Sequence, residues 1–131
     1  MDWLVGDGRG DWILDIYGDY AVAKINSYCI CLVYREKQEG GWEHRSFVVP
    51  NYFIKAYQVH EPYICLEGII TKSEFISADE LKRGELSYYL VDASSGDVIG
   101  PYDSYEEYVE HCGDLEIEIT DEWLTPHNPN E

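Results

Sequence analysis

Lysine and arginine are missing altogether from residues 84–131, which hold thirteen aspartates and glutamates. All nine basic side chains lie in residues 1–83, where thirteen acids leave a balance of −4, against −13 for the C-terminal stretch. A field of that sign repels nucleic acid, anionic lipid and phosphate-bearing ligands, and it attracts basic partners from a distance. The expected partner is therefore a basic protein, with no direct nucleic-acid contact and no membrane. Solubility is the plainer use of the same charge, and composition alone weighs the two equally.

Other absences narrow the chemistry. The opening MDWLVGDGRGDW has no basic n-region and no long apolar core, and no segment of the chain approaches the ~18 apolar residues of a membrane span. The expected location is the cytoplasm, with Cys29, Cys31, Cys65 and Cys112 as free thiols. Gly6, Gly8 and Gly10 are not followed by the lysine of a phosphate loop, and the Asp residues around them lack EF-hand spacing. Residues 1–11 read as a loose lead-in.

A zinc site needs several ligands on one ion, and paired CxxC-like knuckles are the usual way to present them. Here a single C-x-C, Cys29 and Cys31, sits inside an apolar strand, and His111-Cys112 would have to approach it from the helix. Buried thiols acting as small hydrophobes are the preferred reading, and neither metal nor cofactor is expected. His44, His60, His111 and His127 allow some Cys–His pairing on paper, but no nucleophile elbow or family signature flanks any cysteine. Glu106-Glu107 and Glu116 with Glu118 resemble glycosidase carboxylate pairs only in composition, since adjacent helix acids face different directions. No catalytic residue is assigned and the chain is not read as an enzyme.

What is present points to a β-rich fold. At 131 residues the chain suits a single domain, 1–131, able to bury a core without staples, with a disordered tail from Pro126 onward. Twelve tyrosines, four tryptophans and three phenylalanines favour pleated surfaces. Strands are expected over Trp12–Ile16, Tyr20–Ile25, Tyr28–Arg35 and Trp42–Val49, the last an edge strand ended by Pro50. In YCICLVYR, apolar side chains alternate onto both faces, which marks a central strand covered on two sides. Tyr52–His60 and Tyr63–Ile70 flank a turn at Glu61-Pro62, and Ser77 to Glu80 has capping-box spacing for a short helix or an excursion loop.

The best-specified unit runs from Ser87 to Asp114. Tyr88–Val91 forms a strand, Ser94-Ser95-Gly96-Asp97 a turn, and Val98-Ile99 the return, stopped by Gly100-Pro101. Ser104 then takes the N-cap position with Glu107 three residues on, opening an acidic amphipathic helix. Beyond it, LEIEIT (Leu115–Thr120) alternates as a terminal strand with Leu115, Ile117 and Ile119 inward. The expected architecture is α+β and β-dominated: one antiparallel meander of six to eight strands, curled or partly closed, with one C-terminal helix packed on it.

The candidate partner-binding residues are Tyr102, Asp103, Tyr105, Glu106, Glu107 and Glu110, where tyrosines are interleaved with carboxylates. Tyrosine supplies contact area and a polar handle, and carboxylates steer a cationic partner. For Tyr105 and Tyr108 themselves the favoured reading is the helix's core-facing stripe, together with Val109 and Cys112, with the carboxylates outward on the opposite face.

The stretches GDYAVAKINSYCICL, VVPNYFIKAYQVHEPYICLEG and YYLVDASSGDVIGPYDSYEEYVEHC resemble an uncharacterised family of small bacterial domains, many with a lipoprotein-type N-terminus. The likeness spans about residues 11–114. It implies a hairpin-rich fold ending in an acidic helix, and it transfers no function and no catalytic residue. The chain departs from that family in showing neither a signal peptide nor a lipid-attachment cysteine. Two functional classes remain. One is an acidic protein-interaction domain, such as an immunity-type inhibitor of a basic toxin or nuclease, DNA mimicry included. The alternative is a small-molecule-binding or enzymatic β-domain, which requires a cleft with converging polar groups, for instance around His44 or His60.

Overall fold

The computed structural model describes residues 12–26, 29–37, 39–71 and 84–129. The expected lead-in over 1–11, Ser27 and Tyr28, the capping-box segment Ser77–Glu80 and the last two residues lie outside them. The described residues form β1 (Trp12–Tyr17), β2 (Tyr20–Asn26), β3 (Cys29–Lys37), β4 (Glu43–Phe47), β5 (Tyr52–His60), β6 (Tyr63–Ile70), β7 (Leu86–Asp92), β8 (Asp97–Ile99) and α1 (Tyr105–Asp114).

All strand pairs are antiparallel, and they divide into two four-stranded sheets, β1-β2-β3-β4 and β5-β6-β7-β8. This corrects the expectation of one curled or partly closed meander. The division falls between Phe47 and Tyr52. Pro50 has no N–H for a ladder, and Asn51 adopts a left-handed φ of 56°, a conformation that its short polar side chain tolerates. The Asn51 carbonyl then accepts the Thr71 N–H at 2.8 Å, which ties the turn to the end of β6. As a result β5 packs against β3 instead of extending the first sheet beside β4.

Strand alternation sorts the side chains into layers. Trp12, Tyr20, Val22 and Leu32 from the first sheet meet Tyr52, Ile54, Tyr57, Ile64, Leu66 and Val91 from the second in a shared core. The opposite face of the first sheet buries Ala21, Ala23, Cys31 and Val33, so β3 is covered on both sides as its composition requires. Beyond that patch the same face turns polar. Arg35 binds Asp15 at 2.6 Å and Glu43 at 3.0 Å, and Glu43 also accepts from Arg45. Burial acts to raise the Glu43 carboxyl, but the hydrogen bonds from Arg35 and Arg45 outweigh it and hold the group below its ordinary value.

The second sheet is also covered twice. In β6 and β7, Ile64, Leu66, Tyr89 and Val91 face the shared core, while Cys65, Tyr88 and Leu90 face α1. The helix is therefore built onto the outer face of β6–β7, and its own buried residues, Tyr108 and Cys112, complete that layer.

Leu115–Thr120 is not a strand. Glu116 sits at φ 62°, which ends regular backbone geometry just past the helix. The inward alternation survives nonetheless, with Ile117 buried and Leu115 and Ile119 packed partly under it. Buried Gln58 holds this segment, donating to the Thr120 carbonyl at 2.7 Å and accepting the Thr120 N–H at 3.3 Å. Tyr57 and Leu124 exchange backbone hydrogen bonds of 3.0 and 2.9 Å, giving the β5 edge a partner at that point. Residues 126–129 have no regular secondary structure.

Candidate interaction surface

The β7–β8 hairpin sets the position of α1. Asp92 accepts the Ser94 N–H and hydroxyl, and Gly96 takes φ 83°, so the turn closes in the way Asx-type loops do. After β8 the Tyr102 N–H returns to the Tyr88 carbonyl at 3.1 Å, which docks the chain beside β7 before the helix begins. Ser104 has extended backbone angles and its hydroxyl accepts the Glu107 N–H at 3.1 Å, fulfilling the N-cap half of the capping box. Glu106 and Glu107 occupy the first turn and His111 the last, both in keeping with the helix dipole.

The helix stops in a Schellman arrangement. The Ile117 N–H reaches the Cys112 carbonyl at 2.8 Å, the Glu116 N–H reaches the Gly113 carbonyl at 3.0 Å, and Ile117 packs in one cluster with Cys112. The left-handed residue in this motif is usually glycine, because a Cβ there costs about 1–2 kcal/mol. Here it is Glu116. Glu116→Gly is expected to stabilise the protein by about 0.5–1 kcal/mol, the strain relief being partly offset by the entropy of a freer unfolded chain. Urea unfolding of the two proteins measures this, and a less stable glycine variant would contradict the account.

The candidate residues separate into two groups. Tyr102 is half-buried: its ring meets Tyr108 edge-on at 5.0 Å and its hydroxyl is hydrogen-bonded to His111 Nδ1. Tyr102 thus braces the helix against its own entry segment. Asp103, Glu106, Glu107 and Glu110 are exposed, as expected for a charged outer face. The suspected core stripe divides too. Tyr108 and Cys112 are fully buried, whereas Tyr105 is 44% and Val109 37% exposed. Tyr105 leans on Tyr88 at 5.0 Å, and Tyr88 stacks in turn on Tyr108 at 5.1 Å, so the exposed ring has a rigid backing.

One functional candidate escaped the residue-by-residue reading. Asp114 follows Glu106 and Glu110 at four-residue spacing, and all three are exposed, so they form one row along the outer face. The spacing was the available signal. Like charges at i and i+4 destabilise a helix by about 0.2–0.5 kcal/mol per pair, so the row costs local stability. Val109 and Tyr105, also four apart, lie beside it as an apolar strip.

The constellations considered for catalysis or metal do not assemble. Cys29 and Cys31 pack on the first sheet's outer face, whereas Cys112 lies under α1 on the second sheet, and none of the four cysteines is in a disulfide. Among the described residues no group of three or more His, Cys, Asp or Glu side chains is placed to hold a metal ion, and no helix is long and apolar enough to cross a membrane. A shallow cleft of about 500 Å³ opens between β3–β4 and the β7–β8 turn, and neither His44 nor His60 lines it. In comparisons with protein-family models, curated proteins and solved structures, the chain finds no match, so its surface chemistry alone carries the functional reading.

Proposed function

We propose that the chain is an acidic protein-interaction domain that captures a basic protein on the outer face of α1, in the manner of an immunity-type inhibitor of a basic toxin or nuclease. The carrying observation is the row Glu106–Glu110–Asp114 set beside the exposed strip of Tyr105 and Val109. An aromatic anchor bordered by charge matches the anatomy of a specific interface, in which a packed centre gives lifetime and the charged rim gives speed and selectivity. The surrounding segment reinforces it, since residues 84–131 contain no lysine or arginine to neutralise the row. A charge arrangement that costs helix stability fits a role in contact better than a role in folding.

The test is capture from lysate of the source cell by immobilised wild-type protein and by the Glu106→Gln, Glu110→Gln, Asp114→Asn triple variant. At low ionic strength the wild type should retain a basic protein that the variant releases. At about 0.5 M salt, where the Debye length is only about 4 Å, retention by the wild type should largely vanish. Equal capture by both proteins, or enrichment of nothing basic, would sink the reading and leave the charge to solubility.

A further inference from the structure

The two sheets do not close on each other everywhere. Tyr20, Tyr34 and Ser46 are cross-strand neighbours on β2, β3 and β4, so their side chains form one row on the face that carries the shared core. Tyr20 and Tyr34 meet edge-to-face at 5.1 Å within it. On the second sheet Val98 stands opposite Val91, a core residue, and so faces the same way, yet it is 39% exposed. Between that row and the β7–β8 turn lies the cleft of about 500 Å³, a size within the ~300–1,000 Å³ range of ligand sites. It is the open end of the core, where inward-facing side chains meet water.

The lining offers a narrow chemistry. No Asp, Glu, Lys, Arg or His lines the cleft, in a chain that carries −17. Alternation is the cause. Arg35, Glu43 and Arg45 pair on the opposite face of the first sheet, and Asp92 falls on the α1 side of β7 with Tyr88 and Leu90. Glu36 and His44, the next pair on the inner face, stand beyond the lining. The N–H groups of the turn are also spent. Ser94 donates to the Asp92 carboxylate at 3.0 Å, Ser95 and Gly96 to the Asp92 carbonyl at 3.3 and 2.7 Å, and Asp97 to Ser95 Oγ at 3.2 Å. Hydroxyls remain. Those of Tyr20 and Tyr34 have no hydrogen-bond partner among the described residues, where no buried side-chain oxygen or nitrogen lacks one. Both phenols therefore open to the water of the cleft, although Tyr20 as a whole is only 6% exposed. Ser46, in the same row, is exposed beside them.

Ligand classes fare differently against such a lining. A cation finds no carboxylate, and an anion finds neither a basic side chain nor a free N–H of the turn. A wholly apolar ligand would strip the water from three hydroxyls and leave them unpaired. The molecule that fits is uncharged, has an apolar face and carries hydroxyls at its rim, because each hydroxyl both donates and accepts. A pyranose ring has that shape. We propose that the cleft binds a neutral sugar, its C–H face against the tyrosine wall and Val98, its hydroxyls meeting those of Tyr20, Tyr34 and Ser46. Tyrosine serves both needs, with an apolar ring and a polar tip. The site makes no use of α1 and stands whether or not that helix captures a protein.

The test is an NMR titration of the ¹⁵N-labelled protein with maltose, cellobiose and lactose, and with sorbitol as an open-chain polyol. At least one disaccharide should shift the Tyr34, Ser46 and Ser95 amides with a Kd of about 1–10 mM, while sorbitol should not bind at about 100 mM. The affinity should be equal at about 50 and about 500 mM salt, since a neutral ligand in an uncharged slot makes no contact that salt can screen. Tyr34→Phe keeps the ring and deletes only the hydroxyl, and it should weaken the sugar about fivefold. Ser46→Ala, at an exposed position, should weaken it about threefold. The Glu106→Gln, Glu110→Gln, Asp114→Asn variant should bind sugar like wild type. No shift with any of the three disaccharides at about 100 mM overturns the proposal. So does equal binding of sorbitol, a Kd that rises with salt, an unchanged Kd in both hydroxyl variants, or loss of binding in the α1 variant.

Discussion

Raising the pH from about 9 to 12 should unfold the protein cooperatively, with little loss of stability until the ordinary tyrosine range near 10 is passed. The cause is the placement of the tyrosines. Burial pushes the Tyr52 and Tyr108 hydroxyls far up, and they are 4% and 0% exposed. Tyr88 is raised to about 12 by burial and then by the Glu67 carboxylate. Tyr102 is raised to about 12 by burial and then by the sulfurs of Cys112 and Cys65. In each case the folded state holds its proton more tightly than the unfolded chain does. The stabilisation is therefore complete below about pH 10 and is lost as pH rises towards the folded-state values.

Magnitude follows from proton counting. Each phenol that stays protonated only in the folded state removes about 1.4 kcal/mol per pH unit above about pH 10, so Tyr52 and Tyr108 together remove about 2.7. Tyr88 and Tyr102 reach further into solvent and add less. Against the 5–15 kcal/mol typical of a domain, this places the unfolding midpoint near about pH 12. Far-UV circular dichroism and tyrosinate absorbance, recorded together, check it. The expected result is a step in absorbance coincident with loss of strand signal. A smooth titration of all tyrosines near pH 10 with the fold intact would show that the rings are not held as described.

Tyr108→Ala should be the most damaging single substitution on α1, costing about 4 kcal/mol, within the range for deleting a buried aromatic ring. The ring is fully buried, stacked on Tyr88 at 5.1 Å and met edge-on by Tyr102 at 5.0 Å. Its hydroxyl donates to the Tyr89 carbonyl at 3.2 Å, so the side chain spans the whole helix–sheet interface. Removing it leaves a cavity between α1 and β7 and releases the brace formed by Tyr102 and His111. Tyr108→Phe, which deletes only the hydroxyl, should cost about 1 kcal/mol. Urea midpoints for the three proteins test this series. If alanine costs no more than phenylalanine, the helix is not anchored through that ring. Binding should track docking of α1, so Tyr108→Ala should weaken capture of a basic protein without altering any surface charge.

Local chemistry was legible wherever the deciding contact was also local. The strands Tyr52–His60 and Tyr63–Ile70, the Ser104 cap and the Gly96 turn all appear where the residues place them, because each depends on neighbours a few positions away. The double coverage of β3 was legible for a related reason: a strand apolar on both faces has to be buried on both. The outer row of carboxylates is a property of helical spacing, and only Asp114 needed the observed helix end to join it.

Composition and order thus determined by themselves an antiparallel, β-dominated chain with a capped acidic helix near its C-terminus and a strong charge imbalance. The tertiary structure decided what depends on partners distant in sequence. Pairing alone did not reveal that the strands divide into two sheets, since β5 could extend either arrangement until Asn51 turned it across β3. Leu115–Thr120 has the alternation of a strand, yet Gln58, 62 residues away from Thr120, claims the backbone groups that a ladder would use. Tyr105 and Tyr108 are indistinguishable as residues three apart on a helix. One is buried and the other left exposed because β7 offers Tyr88 and Leu90 at one angle of approach, a choice made by the packing of a sheet that local sequence does not encode.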